Sequence, residues 1–329
     1  MRQDIIAIGS ATQDVFLVSD KFIEIRSKKF ATGKGIGLPA GEKIKIDKAI
    51  SASGGGATNA AVTFTRQGFN AGCVSIIGDD QSGSSILDEL RREGVDTRHI
   101  ELSRGSHTAY SVILVLKNGE RTVLACHDDS AKKEIAIPWA HIDSKWVFIS
   151  AVNGSLEALK QATVWAERTS GHLANNPGAK ELAHGIDALA PIWKRFDIIG
   201  LNHEEAAILT GIPYTKEHEL FSYLDERIGG IFVMTKGPEG VVISDGNFLY
   251  YAGIPTKEIV DRTGAGDAFH SGFLAEFIRS GSIERAIQFA TANATSVVMQ
   301  YGSKAGILKK GETGKWPLVS VRRERIINK

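Results

Sequence analysis

The sequence predicts an α/β fold with a mostly parallel central sheet. Short apolar runs rich in Ile and Val recur along the chain, and segments with the apolar period of a helix separate them. Continuous apolar strands alternating with amphipathic helices are typical of a parallel sheet that helices cover on both faces. The length of 329 residues is sufficient for a large core.

The predicted elements follow one another in regular order. Strands are predicted at 5–8, 71–77, 146–150, 196–201, 230–235 and 240–244. Helices are predicted at 57–67, 83–93, 155–169, 204–210, 266–279 and 283–299, and several are followed by a glycine, the usual residue at a helix C-terminus.

Two segments interrupt this alternation. Residues 14–50 contain strand-like pieces around 33–37, and residues 108–126 predict a hairpin that turns at Asn118-Gly119, a strong hairpin signal. We expect both to form one small antiparallel sheet, a lid of about 12–50 and 106–128 on a domain spanning 1–308. The basic tail at 309–329 is expected to be a solvated terminal segment.

Composition narrows the possible partners. The chain has 39 Lys and Arg against 38 Asp and Glu, and a net charge of +1 is too weak to hold a nucleic-acid backbone. Cys73 and Cys126 lack CxxC partners and fit buried thiols in a reducing compartment, so a cytoplasmic location is expected. No run of 18 apolar residues occurs, so no membrane partner is expected.

The run VDRTGAGDAFHSGF, from Val260 to Phe273, begins the predicted helix at 266–279. Backbone N–H groups of Gly264, Ala265 and Gly266 can converge on an anion at a helix N-terminus, where small residues allow close approach. Asp267 could be a simple cap of that helix. Because a cap needs one glycine at most, the pattern favours a site that holds an anion and a carboxylate together.

A second glycine turn, SGGGATN from Ser53 to Asn59, begins the helix at 57–67. The GxGxxG dinucleotide pattern is not met because Asn59 stands at its third glycine, which argues against a dehydrogenase. The chain contains no GxxxxGK[ST], so a Walker P-loop is also excluded. Taken alone, a tight turn with an Asn cap explains this motif equally well.

Together these motifs resemble the two signatures of the ribokinase-like, or PfkB, carbohydrate kinase family. The N-terminal signature is matched in spacing by Gly55, Gly56, Ala57, Asn59, Ala61, Gly68 and Gly78, and the C-terminal signature by Asp261, Gly264, Ala265, Gly266, Asp267 and Phe269. The resemblance extends from Gly9 to Gly302. It implies a ribokinase-like three-layer sandwich with a small β-sheet lid over the sugar.

The resemblance implies an ATP-dependent phosphotransferase that moves the γ-phosphoryl group to a hydroxymethyl group of a small sugar. Asp267 would be the general base, and Gly264, Ala265 and Gly266 would form the anion hole. The implied acceptor contacts are Asp14, Gly55, Gly56, Asn59 and Asn153. The implied nucleotide contacts are Asn202, Thr235, Gly237, Gly240, Thr291 and Asn293.

Two cation sites are also implied. Asn202 and Glu205 share a helix face and can hold Mg²⁺ through water, although the same spacing is that of a capping box. Asp261 and Thr263 correspond to the monovalent-cation loop of some relatives. Their closing serine is absent near Gly306, which leaves potassium dependence open.

Several departures keep alternatives open. Asn153 stands where ribose-selective members have a glutamate, so a nucleoside or ribose-phosphate kinase of the same family is the alternative. Arg262 replaces a Thr, Ser or Pro of the family and either reaches a phosphate or faces solvent. His270 is either a proton relay or a packing residue.

A non-catalytic sugar or nucleotide sensor is the alternative from another class. The intact Asp267 and Gly-Ala-Gly run argue against it. Exposed edges of the lid hairpin favour a homodimer formed through the lids.

Overall fold

The computed structural model describes residues 2–30, 33–116, 118, 120–126, 133–256 and 258–326. The strands are β1 (Gln3–Ile8), β2 (Thr12–Val18), β3 (Ile23–Arg26), β4 (Lys34–Gly37), β5 (Lys48–Gly54), β6 (Ala71–Gly78), β7 (Asp96–Ser103), β8 (Tyr110–Val115), β9 (Arg121–Cys126), β10 (Ser144–Ile149), β11 (His172–Asn175), β12 (Ile198–Asn202), β13 (Ile231–Thr235), β14 (Val241–Ser244), β15 (Phe248–Ala252) and β16 (Arg322–Arg325). The helices are α1 (Gly56–Arg66), α2 (Gln81–Arg92), α3 (Leu156–Thr169), α4 (Ala179–Leu182), α5 (Ile186–Trp193), α6 (His203–Thr210), α7 (Glu217–Asp225), α8 (Ala265–Ser280) and α9 (Ile283–Val298).

In the described residues the main sheet has ten strands in the order β16-β15-β14-β13-β12-β11-β10-β1-β6-β7. The pairs from β7 across to β13 are parallel, and the remaining pairs out to β16 are antiparallel. The predicted α/β class is therefore confirmed. All six predicted strands and all six predicted helices are present, most within two residues of the expected ends.

Two apolar cores cover the two faces of this sheet. One contains residues of α1, α2, α8 and α9, and the other contains residues of α3, α5, α6 and α7. The three-layer sandwich follows from this arrangement. Burial of continuous apolar strands on both faces is the physical reason why the strand sequences showed no polar alternation.

The lid differs from the expected single antiparallel sheet. The order β5-β2-β8-β9 contains a parallel pair, β2 with β8, between two antiparallel pairs, and β3 with β4 forms a separate two-stranded sheet. Since β1 and β7 are parallel, the chain leaves both at the same edge of the main sheet and enters β2 and β8 in the same direction. Of the predicted turn, Gly119 lies outside the described residues.

Two smaller expectations need correction. The tail is not wholly a solvated segment, because β16 pairs with β15, and Arg322 and Arg323 lie over the rings of Tyr251 and Phe248. Of the two thiols expected to be buried, Cys73 is buried and Cys126 is exposed on β9. Among the described residues, no helix is long and apolar enough to cross a membrane.

Candidate active site

Several of the predicted site residues lie at the carboxyl edge of the parallel strands, where α/β sheets bind ligands. Gly9 follows β1 and leads through Ser10 to the lid strand β2, while Ser150 follows β10. Further along the same edge, Asn202 ends β12 and Thr235 ends β13. In the sheet β10 and β1 are neighbours, while β12 and β13 lie beyond β11. The predicted acceptor contacts are therefore separated from most of the predicted nucleotide contacts.

The first glycine turn packs too tightly for any side chain. Gly55 has φ +97°, and a Cβ there would collide with the Ser10 carbonyl. A Cβ at Gly56 would collide with Ser150 Oγ, and one at Gly54 with the Asp14 carboxylate. The three glycines thus bring β1, β10 and the start of α1 together, which local turn geometry alone would not require.

Asp267 and Asn59 meet although they are 208 positions apart in the sequence. Asn59 Nδ2 donates to Asp267 Oδ2 at 2.8 Å, and Ser303 Oγ donates to Asn59 Oδ1 at 2.9 Å. Ser303 therefore fixes the Asn59 amide so that its N–H faces the carboxylate. Burial raises the pKa of Asp267, whereas the Asn59 hydrogen bond and the charge of Lys304 lower it.

The second glycine motif forms the N-terminus of α8. Gly264 is its N-cap residue with φ +79°, and a Cβ there would collide with Ser303. A Cβ at Gly266 would instead point into open space. Amides of a first helical turn have no acceptor inside the helix, although Ala265 N makes a 3.3 Å bond to Arg262 O. The open side of Gly266 is where an anion can approach.

Asp14 lies on β2, at the base of the lid. It is 7% exposed, and Thr12 Oγ1 donates to Asp14 Oδ1 at 3.3 Å. Burial raises the pKa of Asp14, while hydrogen bonds from Ser111 and Thr12 and the charge of Lys304 lower it. A Cβ at Gly54 would collide with this carboxylate, so Asp14 lies against the first glycine turn.

Asn153 is not joined to this group. It has φ +60°, an unusual value for a residue other than glycine. Its amide donates to the Lys133 carbonyl at 3.4 Å, and its oxygen accepts from Lys180. Among the described residues, its hydrogen-bond partners thus lie away from Asp14, Asn59 and Asp267.

At the β12 end, Asn202 and Glu205 form the capping box that their spacing indicated. Asn202 Oδ1 accepts from Glu205 N and Glu205 Oε2 accepts from Asn202 N, both at 2.8 Å. Burial raises the pKa of Glu205. The second carboxylate oxygen, Oε1, is not used by the box, so the pair fits a water-bridged Mg²⁺, which typically takes one or two carboxylates beside substrate phosphates.

Thr235 leads into a short turn that ends at Gly240. Gly237 is exposed and Gly240 is buried, and Lys236 N donates to Gly240 O at 2.7 Å. Both glycines have positive φ, at +54° and +92°. The turn presents backbone rather than side chains to the edge of the sheet.

Thr291 and Asn293 on α9 have different surroundings. Asn293 is fully buried, donates to Ala268 O at 2.8 Å and accepts from Leu308 N at 2.9 Å, so its amide joins α8 to the following loop. Thr291 Oγ1 is buried without a partner in the described residues. Thr291 lines a narrow cleft, too small to admit a water molecule, together with Gln288, Trp316 and Leu318.

The predicted monovalent-cation residues form a local turn. Asp261 is 1% exposed, and its Oδ1 accepts from both N and Oγ1 of Thr263, at 3.0 and 2.8 Å. Among the described residues, its Oδ2 receives only a 3.5 Å contact from Gly302 N. This weakly bonded buried oxygen fits a cation ligand, although the described residues contain no group of three His, Cys, Asp or Glu that could bind a metal.

The structure gives different outcomes for the alternative interpretations of Arg262 and of His270. Arg262 is exposed. His270 is buried over Gly200 of β12, where a Cβ would collide with its ring, and burial lowers its pKa to about 4. A neutral ring packed on the sheet is the packing role and not a relay to Asp267.

The sequence reasoning missed Ser303 and Lys304. Both are buried in the loop after α9, and Lys304 Nζ donates to Ser53 Oγ at 2.6 Å. The glycines on either side, Gly302 and Gly306, were the available signal of a tightly packed loop. No local pattern indicated that this lysine is buried.

Comparison with known proteins identifies the family. The profile described as pfkB family carbohydrate kinase matches residues 2–310. The chain is 29% identical to a ribokinase of Haemophilus influenzae over 80% of this chain and 86% of that protein, and 28% identical to a cytidine kinase of Thermococcus kodakarensis over 77% and 90%. A structure of Arabidopsis thaliana ribokinase complexed with ribose and ATP has a TM-score of 0.74 at 19% identity, covering 94% and 96%. The chain belongs to the pfkB family of carbohydrate kinases.

Proposed function

We propose that this protein is an ATP-dependent kinase that phosphorylates the hydroxymethyl group of a small sugar, with Asp267 as general base. The observation that carries the proposal is the bond from Asn59 to Asp267, because it unites the two glycine motifs at one point. Membership of a carbohydrate kinase family supports the reaction class, and the structure of a ribokinase with ribose and ATP supports the two substrates.

The geometry suits proton abstraction. Asn59 donates its hydrogen bond to Asp267 Oδ2. The other oxygen, Oδ1, faces Gly56 and would lie 3.6 Å from a Cβ built on that glycine. An acceptor hydroxyl over the glycine turn would meet Oδ1, and Asp14 would bind a further hydroxyl. A positioned base of this kind contributes about 10²- to 10⁴-fold to rate.

The start of α8 would stabilise the transferred phosphoryl group. The N–H groups at Gly264, Ala265 and Gly266 and the helix dipole favour negative charge at that place. Phosphoryl transfer depends mainly on positioning and electrostatic stabilisation, so fixed donors matter more than covalent chemistry.

Magnesium would be held at Asn202 and Glu205 through water, beside the phosphates. When bound, Mg²⁺ neutralises developing phosphate charge. The Glu205→Gln variant keeps an acceptor for the capping box but loses the carboxylate charge. We expect this variant to need at least several-fold more Mg²⁺ than wild type for half-maximal activity.

Asp261 and Thr263 would bind a monovalent cation. Comparing activity in K⁺ with activity in tetramethylammonium tests this site.

Two aromatic residues of the lid cannot stack a nucleoside base. Phe16 is fully buried and Phe22 is 8% exposed, so both contribute to the lid core, whereas Phe30 and Tyr110 are 41% and 36% exposed. Similarity to a cytidine kinase keeps the nucleoside acceptor as the second candidate.

A panel of pentoses, hexoses, sugar phosphates and nucleosides with Mg-ATP, read out as ADP release and as phosphorylated product, tests the proposal. Transfer to a sugar with wild-type protein is the expected result. Transfer only to nucleosides would replace the sugar by the second candidate. Binding of sugar and ATP without product over hours would instead indicate a sensor.

We also propose a cytoplasmic homodimer formed through the lids. The edge strand β9 exposes Val123 at 49% and Leu124 at 52%, an apolar edge of the kind that proteins cover. Light scattering should give a mass near twice 35.5 kDa. Leu124→Lys should shift that mass to the monomer, whereas Val164→Lys, at a 63% exposed position on α3, should not. A wild-type mass near 35.5 kDa at all concentrations would contradict the dimer.

A further inference from the structure

The loop after α9 touches the first glycine motif with two consecutive side chains. Ser303 and Lys304 are 2% and 5% exposed. Ser303 bonds to Asn59, and Lys304 Nζ donates to Ser53 Oγ, the residue that precedes the three glycines. The loop therefore contacts both ends of the motif. It is connected to Asp267 through Asn59, which bonds to both Ser303 and Asp267.

The backbone of this loop is held in place independently of those contacts. Arg66 Nη1 donates to the carbonyls of Lys304 and Ile307 at 2.8 and 3.0 Å. The same guanidinium pairs with Glu93 at 2.7 Å. Since Lys304 is fixed at its backbone and at its Nζ, its charge occupies a defined position.

A buried ammonium is costly unless opposite charges surround it. The carboxylates whose charges act on Lys304 are Glu89 on α2, Asp14 on β2 and Asp267 on α8, and Lys304 in turn acts on Glu93 after α2. The Cys73 thiol on β6 is also near, but burial raises its pKa to about 12 and it stays neutral. Burial lowers the pKa of Lys304 to about 8, and these carboxylates act against that shift. At neutral pH the side chain is therefore mainly a cation. It is held at Ser53, which pairs with Gln13 next to Asp14, and its charge acts on both Asp14 and Asp267.

We propose that Lys304 is a positioning residue of the phosphoryl-transfer site, whose buried ammonium keeps Asp14 and Asp267 ionised together. This inference rests on the proposed function of that site. Two buried carboxylates that face one acceptor would otherwise favour protonation of one of them. A protonated Asp267 cannot accept the hydroxyl proton. Loss of Lys304 would therefore lower the fraction of Asp267 that is ionised and able to act as base at neutral pH.

The main test compares the pH dependence of kcat/KM for the acceptor in wild-type protein and Lys304→Met. Removing the cation raises the pKa of Asp267, so the acid limb should move to higher pH by about one unit. Lys315→Met is the matched control, because Lys315 is an exposed lysine of the same C-terminal segment. Ser53→Ala removes the partner of Lys304 but keeps the charge, so its acid limb should stay in place.

An unmoved acid limb in a folded Lys304→Met variant would overturn the inference, because a merely structural lysine lowers activity without shifting that limb. A readout without turnover is the carbon NMR titration of the Asp267 carboxyl, assigned by its loss in Asp267→Asn. In wild-type protein this signal should show a second inflection near pH 8, where Lys304 loses its proton.

The NMR titration separates the two hypotheses. If no acceptor is phosphorylated, the proposed function fails while the Asp267 titration still decides on Lys304. A single inflection of Asp267 in wild-type protein, with no response near pH 8, would refute the role of Lys304 even if Lys304→Met does not fold.

Discussion

The two ends of the candidate site are built differently. At the acceptor end, Asn59, Ser303 and Lys304 are buried and bonded to one another or to their neighbours, and Asp267 lies within that network. At the nucleotide end, Gly237 is exposed and the buried hydroxyl of Thr291 has no partner among the described residues.

This difference shows where each end obtains its order. The groups that we propose to act on the transferred proton and phosphoryl group are held in place without a ligand, which is what electrostatic stabilisation of a transition state requires. A nucleotide, by contrast, brings its own donors, acceptors and charges. Substitutions at the acceptor end should therefore lower activity much more than substitutions at the nucleotide end.

The largest effect is expected for Asp267→Asn. An amide cannot act as the base, so kcat should fall by about 10²- to 10⁴-fold while the acceptor still binds. The measurement is steady-state transfer to the acceptor that the panel identifies, together with acceptor binding by calorimetry. Turnover comparable to wild type would remove Asp267 from the role of base.

The same variant should be more resistant to heat at pH 7. Because burial raises the pKa of Asp267 in the folded protein, the folded state binds its proton more readily than the unfolded state. Stability therefore falls as pH rises from the unfolded pKa through the folded pKa, and the ionised carboxylate is unfavourable above that window. The Asp267→Asn variant does not have this cost. A melting temperature at pH 7 below that of wild type would contradict an unfavourable ionised carboxylate at position 267.

An intermediate effect is expected for the pair Gly264→Ala and Gly266→Ala. Alanine at Gly264 adopts a left-handed conformation with difficulty and collides with Ser303, so both stability and kcat should fall, kcat by about 10²-fold. Alanine at Gly266 meets open space in a helix and should stabilise the protein by about 0.5–1 kcal/mol.

The methyl group of Gly266→Ala would nevertheless enter the space where we propose that the phosphoryl group binds. In this variant kcat/KM for ATP should therefore fall about 10-fold or more. Thermal unfolding and initial rates on both variants decide the matter. If Gly266→Ala keeps full activity, the phosphoryl group does not bind at that face of α8.

The smallest effect is expected for Thr291→Val. Removing a buried hydroxyl that has no partner should stabilise the ligand-free protein by about 1 kcal/mol. If the nucleotide uses that hydroxyl, KM for ATP should rise about 5-fold, the value of one hydrogen bond.

Thr210→Val is the matched control, because its hydroxyl donates to Ala206 O at 2.8 Å and lies at the far end of α6. It should lower the melting temperature and leave KM for ATP unchanged. Equal effects of the two substitutions on KM would remove Thr291 from the nucleotide site.

Much of the fold could be predicted because its signals are local. Apolar runs such as that of β6 are buried along their whole length, so burial on both faces is written in consecutive residues. The helices α4, α5 and α7 were not predicted. In α5 the reason is visible, since Pro191 lies within the helix and argues against it locally, while packing of Leu189 and Trp193 into the core overrides that preference.

The lid was predicted less well because strand pairing is not a local property. The apolar runs within β2 and β8 indicate strands, but the parallel pairing of these strands depends on the chain entering both from the same edge of the main sheet. Likewise, the spacing of Asn202 and Glu205 was compatible with a cap and with a magnesium site, and the structure shows the cap without excluding the metal.

The sequence by itself determined the fold class, the two glycine turns and the carboxylate beside one of them, because each depends on neighbours within one helix or turn. Only the tertiary structure decided that Asn59 faces Asp267, that Asn293 is an internal link, and that Ser303 and Lys304 complete the site. The physical reason is that burial of a charge and the direction of an amide depend on partners outside the local segment. For Asn59 and Lys304 these partners are more than 200 positions away, and for Asn293 they lie on the neighbouring helix and loop, so no local pattern records them.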